Sequence, residues 1–288
     1  LDSDVYHNRL IPRHGPGATA DRIVGNDKFD LQTWTTRLEN IFPFGEYAIP
    51  SWRYSYLQDR VRFLEPKDEM PVRVVSVPKT LKTPRIIAIE PASVQYMQQA
   101  VLGSLMEHFH RNYLLADLIG FRDQEPNRQM ARRGSISGDL ATLDLSEASD
   151  RVSNQLVRLL LTNHPHLGEA VDATRSRKAD VPGHGVIRLA KFASMGSALC
   201  FPMEAFVFTT IIFLTIAEEL KRPVTKKLLK EFRGRVRVYG DDIIVPTEFA
   251  ASVSKRLETF GFRVNIRKSF LEGNFRESCG GDYFMGED

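Results

Sequence analysis

The clearest alternation of apolar and polar positions lies in the second half of the chain. Residues 140–145 (LATLDL) predict a short strand ending around Asp144, and Ser146 is placed to cap a helix with apolar positions Val152, Leu156, Leu159 and Leu160. Residues 235–239 (RVRVY) and 243–245 (IIV) predict two strands joined through Gly240, Asp241 and Asp242, so a tight hairpin carries two adjacent carboxylates at its tip. Val253, Leu257 and Phe260 then predict a helix over 251–260 closed by Gly261. Phe262, Val264 and Ile266 alternate with Arg263, Asn265 and Arg267, which predicts a half-buried strand with a basic outer face. Strand, helix, hairpin, helix, strand is the order of an α+β sheet domain.

Upstream, residues 72–77 (VRVVSV) and 85–89 (RIIAI) predict a hairpin carrying Lys79, Lys82 and Arg85. Val94, Met97, Val101, Leu102 and Leu105 predict a helix over 93–115, followed by a polar loop with Arg122, Arg128, Arg132 and Arg133. Residues 1–70, broken by prolines, predict irregular structure despite aromatics at Trp34, Phe42, Phe44, Trp52, Tyr54 and Tyr56. The most apolar run, 205–217, contains three threonines and is bracketed by Glu204 and Glu218. A membrane span needs about 20 residues, so the run predicts a buried helix and no membrane. The chain opens on Leu1 without a basic-then-apolar leader, and residues 280–288 read as part of a hairpin, so a piece of a longer protein is expected.

With 288 residues and 42% hydrophobic side chains the chain can build a sizeable core, which excludes intrinsic disorder. A net charge of only +3 makes overall balance uninformative about partners. Locally the picture changes: residues 221–237 carry eight basic side chains against the single acid Glu231, which suits phosphate contacts, a solvated face or a docking surface. Cys200 and Cys279 exclude a disulfide framework and do not suggest zinc, and a reducing compartment fits them.

Three carboxylates at strand ends repel one another unless a cation neutralises them, and hard oxygen donors favour magnesium. Asp144 and Asp241, with Asp242 nearby, could hold two such ions bridged by a nucleoside triphosphate. An isolated Asp-Asp pair is ordinary turn chemistry; the flanking apolar strands and the upstream strand ending at Asp144 favour the metal reading.

These residues resemble a known family. Residues 144–150 (DLSEASD), 194–196 (SMG), 239–242 (YGDD) and 275–280 (FRESCG) are similar to palm motifs A, B, C and E of viral RNA-dependent RNA polymerases, and 78–91 (PKTLKTPRIIAIEP) to finger motif F. Their wording is that of the replicase β subunit of positive-strand RNA bacteriophages, the leviviruses, over residues 72–288. The resemblance implies a right-hand polymerase palm, an antiparallel sheet with helices packed on one face, with partial fingers and the thumb largely absent. Residues 1–71 would be a fingers-associated region, 72–139 fingers, and 140–288 the palm, with fingers insertions between motifs A and B.

The implied activity is copying of RNA into RNA with Asp144, Asp241 and Asp242 as ligands of two Mg2+ ions, Mn2+ being a possible substitute, and Lys268 as a general acid for pyrophosphate. Lys79, Lys82 and Arg85 would line the triphosphate channel, and Ser194, Met195 and Gly196 would lie near the template and incoming ribose. Many viral polymerases place an Asn eight residues after this Gly and an Asp five after the first motif A Asp. Here Glu204 and Ser149 stand there, with Asp150 next, as in the phage replicases, so Ser149, Asp150, Ser194 and Glu204 are candidate nucleotide-binding residues.

Implied partners are template and nascent RNA, nucleoside triphosphates, host elongation factors Tu and Ts and a ribosomal small-subunit protein, in the bacterial cytoplasm. Two other readings are a reverse transcriptase-like palm and a non-catalytic RNA-binding fragment. Gly240 and FRESCG favour RNA copying over the first, and the complete carboxylate set argues against the second.

Overall fold

The computed structural model describes residues 1–78 and 84–288 in full and only the backbone at 79, 82 and 83. The chain divides into two compact units, one of residues 1–108 with 153–200 and the other of 109–152 with 201–288.

In the second unit a three-stranded antiparallel sheet has the order Leu140–Leu143, Asp242–Pro246, Arg237–Tyr239. The central strand is apolar on both faces, and Ile243, Ile244 and Val245 are buried. One face receives the helix Thr247–Thr259, which turns Phe249, Ala250, Val253 and Leu257 inward. It begins directly after Pro246, four residues earlier than predicted, because Phe249 and Ala250 already belong to its buried face. Gly261, at φ +91°, lets the chain turn back so that Phe262 N donates to Leu257 O at 3.1 Å.

The expected apolar helix is Cys200–Glu219, with Phe208, Ile212 and Ile216 wholly buried. It is long and apolar enough to cross a membrane by composition, but most of its apolar stretch is inside the protein. The terminal hairpin pairs Phe275–Ser278 with Gly281–Phe284 through a two-residue turn in which Cys279 and Gly280 both have positive φ, the geometry that matches strand twist. Arg276 is wholly buried and donates to the carbonyls of Leu140, Glu272, Gly273 and Phe275, which ties the hairpin to the sheet.

Several local expectations give way. The polar loop after residue 115 contains the helix Glu125–Ser137, whose Arg128 donates to Cys279 O and Arg132 to Gly286 O. The helix expected over 93–115 breaks at 111–112, where Asn112 caps a new one, Tyr113–Leu118. Ser146 does not cap the helix after motif A. Glu147 enters the left-handed region at φ +55°, a short helix Ala148–Arg151 follows, and Ser153 caps Asn154–Leu160 by accepting from Leu156 N at 3.2 Å. Residues 262–267 form no strand. Only Leu145 and Val264 pair, Ile266 is 85% exposed, and the chain turns at once, closed by Lys268 N donating to Asn265 O at 2.9 Å, while the Asn265 side chain reaches Asp144.

The first unit holds a mixed four-stranded sheet in the order Lys82–Ile89, Val72–Lys79, Lys178–Val181, Gly185–Arg188, with Val72 paired in parallel to Ala179. The helix Ala92–His110 buries Met97, Ala100 and Val101. Residues 1–70 are more ordered than their prolines suggest. A strand Thr33–Thr35 pairs in parallel with Arg62–Leu64, and short helices surround Trp34, which is wholly buried and donates from Nε1 to Phe42 O at 3.1 Å.

Candidate active site

Antiparallel pairing brings Leu143 opposite Ile243 and Tyr239 opposite Asp242. Asp144 directly follows the last paired residue of its strand and Asp242 directly precedes Ile243 in the other, so both acids lie at the same end of the sheet, and the charges of Asp241 and Asp242 are both felt at Asp144. Asp241 occupies the turn beside them with Gly240, at φ +58°, where an added Cβ would come within 2.5 Å of the Phe201 ring. Glycine is therefore required both by the backbone and by the ring behind it.

Protein donors hold two of the three carboxylates. Asp144 Oδ2 accepts from Asn265 Nδ2 at 2.7 Å, while its backbone carbonyl accepts from Asn265 N at 2.9 Å and its N–H donates to Ser269 Oγ at 3.1 Å. Asp242 Oδ1 accepts from Cys279 N at 2.9 Å and Ser278 Oγ at 3.3 Å. Asp241 faces solvent. Burial raises the Asp144 carboxyl above its ordinary range, Asn265 pulls against this, and the charge of Asp241 raises it further. Asp242 is likewise raised by burial, against the Cys279 hydrogen bond, and then by Asp241.

Around these groups the second unit places Glu204, 5% exposed on the helix Cys200–Glu219, and Lys268. Burial, followed by the charges of Asp241 and Asp150, pushes Glu204 up to about 8. Lys268 Nζ pairs with Glu277 at 3.2 Å, and that pairing, with smaller help from Asp144 and Asp242, raises its pKa. Ser149 lies half-buried in the short helix after motif A. Burial pushes the Cys279 thiol up to about 12, so it is a packed thiol and not a nucleophile.

Among the described residues no three His, Cys, Asp or Glu side chains converge as a ready-made metal cluster, since Asp144 and Asp242 are each turned toward a protein donor. The donor set nevertheless fits a hard divalent cation: carboxylate oxygens at one sheet end, with burial and like charge both disfavouring their ionised forms, which a cation would relieve.

A family model described as RNA replicase, beta-chain, matches residues 66–288. The chain belongs to this replicase family. It is 39% identical over 216 residues to the RNA-directed RNA polymerase subunit beta of Qbeta virus strain MX1, covering 75% of this chain and 34% of that protein. The corresponding beta chain of Enterobacteria phage fr is 39% identical over 215 residues, covering 75% and 36%. The chain thus spans about a third of the length of these relatives. Its fold is similar to the RNA-dependent RNA polymerase of a human picobirnavirus, with TM-score 0.50 and 15% identity over 69% of this chain and 40% of that one. It is also similar to the BmCPV RNA-dependent RNA polymerase at elongation state, with TM-score 0.55 and 11% identity over 99% and 26%. The α+β architecture is accordingly one shared with viral RNA polymerases.

The replicase motif B residues Ser194 and Gly196 belong to the first unit, as does Arg85, which is exposed on the strand Lys82–Ile89. The side chains of Lys79 and Lys82 lie outside the described residues. Gly196 is held at φ +122° with its would-be Cβ 2.0 Å from Ala88 O, and Ala88 N donates to Met195 O at 2.8 Å. Only glycine allows the motif B loop to lie this close against the strand. Behind the loop, Glu90, Gln98, Arg175, Ser176, Ser194 and Ser197 help line a cavity of about 10 Å3, room for a single water. Ser176 Oγ donates to Glu90, Gln98 accepts from Ala198 N at 3.1 Å, and Arg175 donates to the carbonyls of Leu189, Lys191 and Phe192.

The basic run 221–237 is largely consumed inside the second unit. Arg222 pairs through two nitrogens with Glu231, Arg233 with Asp117 and Arg235 with Glu248, and Arg237 is buried on Asn127 and two carbonyls. The phosphate-facing reading shrinks to the exposed Lys221, Lys226, Lys227 and Lys230. Sequence reading missed Asn265, Ser269 and Ser278 beside the carboxylates and Glu90, Gln98 and Arg175 behind motif B. Asn265 was legible only as one polar position of an alternating run.

Proposed function

We propose that this chain carries the nucleotidyl-transfer palm of an RNA-dependent RNA polymerase that adds ribonucleotides to a growing strand on an RNA template. The observation that supports this best is the register that ends two neighbouring strands at Asp144 and Asp242, with the charges of Asp241 and Asp242 both felt at Asp144. In this reading residues 140–288 form the palm with fingers inserted between motifs A and B, 72–139 belong to the fingers, 1–71 associate with them, and the thumb is largely absent.

Asp144, Asp241 and Asp242 would hold two Mg2+ ions, with Mn2+ as a substitute. When bound, such ions activate the attacking 3′-hydroxyl and stabilise the leaving oxygen of an in-line displacement. The chain's own residues do the rest. Asn265 and Cys279 N fix the orientation of two carboxylates. Lys268, protonated well above neutrality, holds a proton at Nζ for the departing pyrophosphate. Arg85, with Lys79 and Lys82, offsets triphosphate charge, and Ser194 and Gly196 shape the surface under template and ribose. Ser149, Asp150 and Glu204 read the sugar; Glu204, at about 8, is protonated near neutrality and can donate to a ribose hydroxyl.

Template and nascent RNA, nucleoside triphosphates, host elongation factors Tu and Ts and a ribosomal small-subunit protein are the proposed partners, in the cytoplasm of a bacterial host. The phage origin of the relatives supports this setting. The test is Asp241→Asn in a longer chain containing this region. Magnesium-dependent incorporation of ribonucleotides on an RNA template should fall by more than about a hundredfold, as on losing a group that places the charge stabilising the transition state, while salt-sensitive RNA binding persists. Undiminished synthesis by the variant would refute the assignment, and equal use of deoxynucleotides by the unaltered chain would favour a reverse transcriptase.

A further inference from the structure

The 3₁₀ segment Trp52–Arg60 of the first unit buries none of its residues. Trp52 is 81% exposed, Tyr56 56% and Tyr54 46%, and the rings of Tyr54 and Tyr56 lie 6.4 Å apart. Arg53, Arg60 and Arg62 are exposed beside them, against one acid, Asp59. Among the described residues none of the three arginines has an ion-pair partner. Glu46, on the helix packed against the segment, is engaged by Asn8 Nδ2 at 2.9 Å. Large aromatic rings are core material when water is the only neighbour. The side chains presented here are rings and unneutralised guanidinium groups, not aliphatic anchors.

That combination matches one chemistry closely. Unpaired bases stack on aromatic faces whatever their sequence, and arginines track the phosphates between them; in a duplex the same base faces are already covered. The geometry points to single-stranded RNA as the occupant of the surface formed by Trp52, Tyr54 and Tyr56 with Arg53, Arg60 and Arg62. The segment precedes residue 66, where the replicase match begins. The inference goes beyond the polymerase reading, because it concerns binding and not the transfer step.

The two tryptophans make a direct experiment possible, since Trp34 is wholly buried and Trp52 is not. Tryptophan emission and its acrylamide quenching are followed while oligouridylate of about twelve nucleotides, within the usual span of single-strand sites, is titrated into the protein. Saturable quenching with protection from acrylamide is expected, lost in Trp52→Phe. Tyr56→Ala, exposed and so harmless to folding, should weaken binding about tenfold, or about 1.4 kcal/mol. Three phosphate contacts to single-stranded RNA predict roughly an eighteenfold loss between 50 and 200 mM salt.

An unchanged emission overturns the proposal, as does an equal response to a duplex of the same length or to polyphosphate, or wild-type affinity in Tyr56→Ala. Protection of Trp52 in a longer chain without RNA would assign the surface to protein and overturn it too. Repeating the titration in Asp241→Asn separates the two readings, because that change removes catalysis and leaves this surface untouched.

Discussion

Replacing Glu90 by Gln tests how a buried acid behind the motif B loop shapes the stability of the first unit. Glu90 is 4% exposed, and burial pushes its carboxyl up to about 7 against the opposing hydrogen bonds of Ser176 and Gln98 and the charge of Arg175. The sign follows from which state loses its proton first. The unfolded chain releases it near the ordinary 4.5 and the folded one at about 7, so this group's contribution is fully favourable below 4.5 and declines as pH rises to 7. The loss is about 1.4 kcal/mol per pH unit, or roughly 3 kcal/mol across the window.

Glu90→Gln keeps the shape and an acceptor for Ser176 but cannot ionise. The variant should therefore match the unaltered protein near pH 4.5 and exceed it by about 3 kcal/mol at pH 8, or roughly 6–10 °C in melting temperature. Thermal unfolding of both proteins from pH 4.5 to 8 reads this directly, with every other titrating group common to the pair. Parallel stability curves, with no divergence between pH 5 and 7, would refute the reasoning.

Two further substitutions probe the architecture. Asn265→Ala removes the donor that holds Asp144 Oδ2, so half-saturation by magnesium in an active longer chain should rise about tenfold or more, as for other groups that orient a metal ligand; an unchanged or lower requirement would argue against that role. Gly196→Ala sets a Cβ 2.0 Å from Ala88 O at φ +122°, so the loop must move or the strand must yield, at a cost of about 2–4 kcal/mol visible as a lowered melting temperature; an unshifted melt would show the contact to be soft.

Much of the second unit was legible because its determinants are local. Hydrophobic runs bounded by turn residues mark the strands at 140 and 243, Gly240 marks the hairpin, and Val253 and Leu257 mark the helix behind them. The catalytic-type carboxylates stood out for the same reason, since short strands interrupted by acids are chemically conspicuous. Where local pattern failed, a distant partner had intervened. The alternation over 262–267 is a sound strand signal by itself, but pairing stops after Val264, the chain turns with Lys268 N donating to Asn265 O, and the Asn265 side chain goes to Asp144, a residue 121 positions away. The basic run 221–237 suited phosphate contacts, a solvated face and a docking surface alike only while Asp117, Glu248 and Asn127 were invisible.

The amino-acid order alone determined the strands at 140 and 243, the hairpin between 239 and 243 and the helix behind it, which acids end those strands, and that the apolar run 205–217 belongs in a core. Those are consequences of periodicity and turn chemistry, which act over a few residues. Tertiary structure alone decided which donors orient Asp144 and Asp242, that Glu90 and Glu204 are buried acids, and that Trp34 is enclosed while Trp52 faces water. Burial and long-range hydrogen bonding depend on what the rest of the chain brings alongside, and no short window of sequence contains that information.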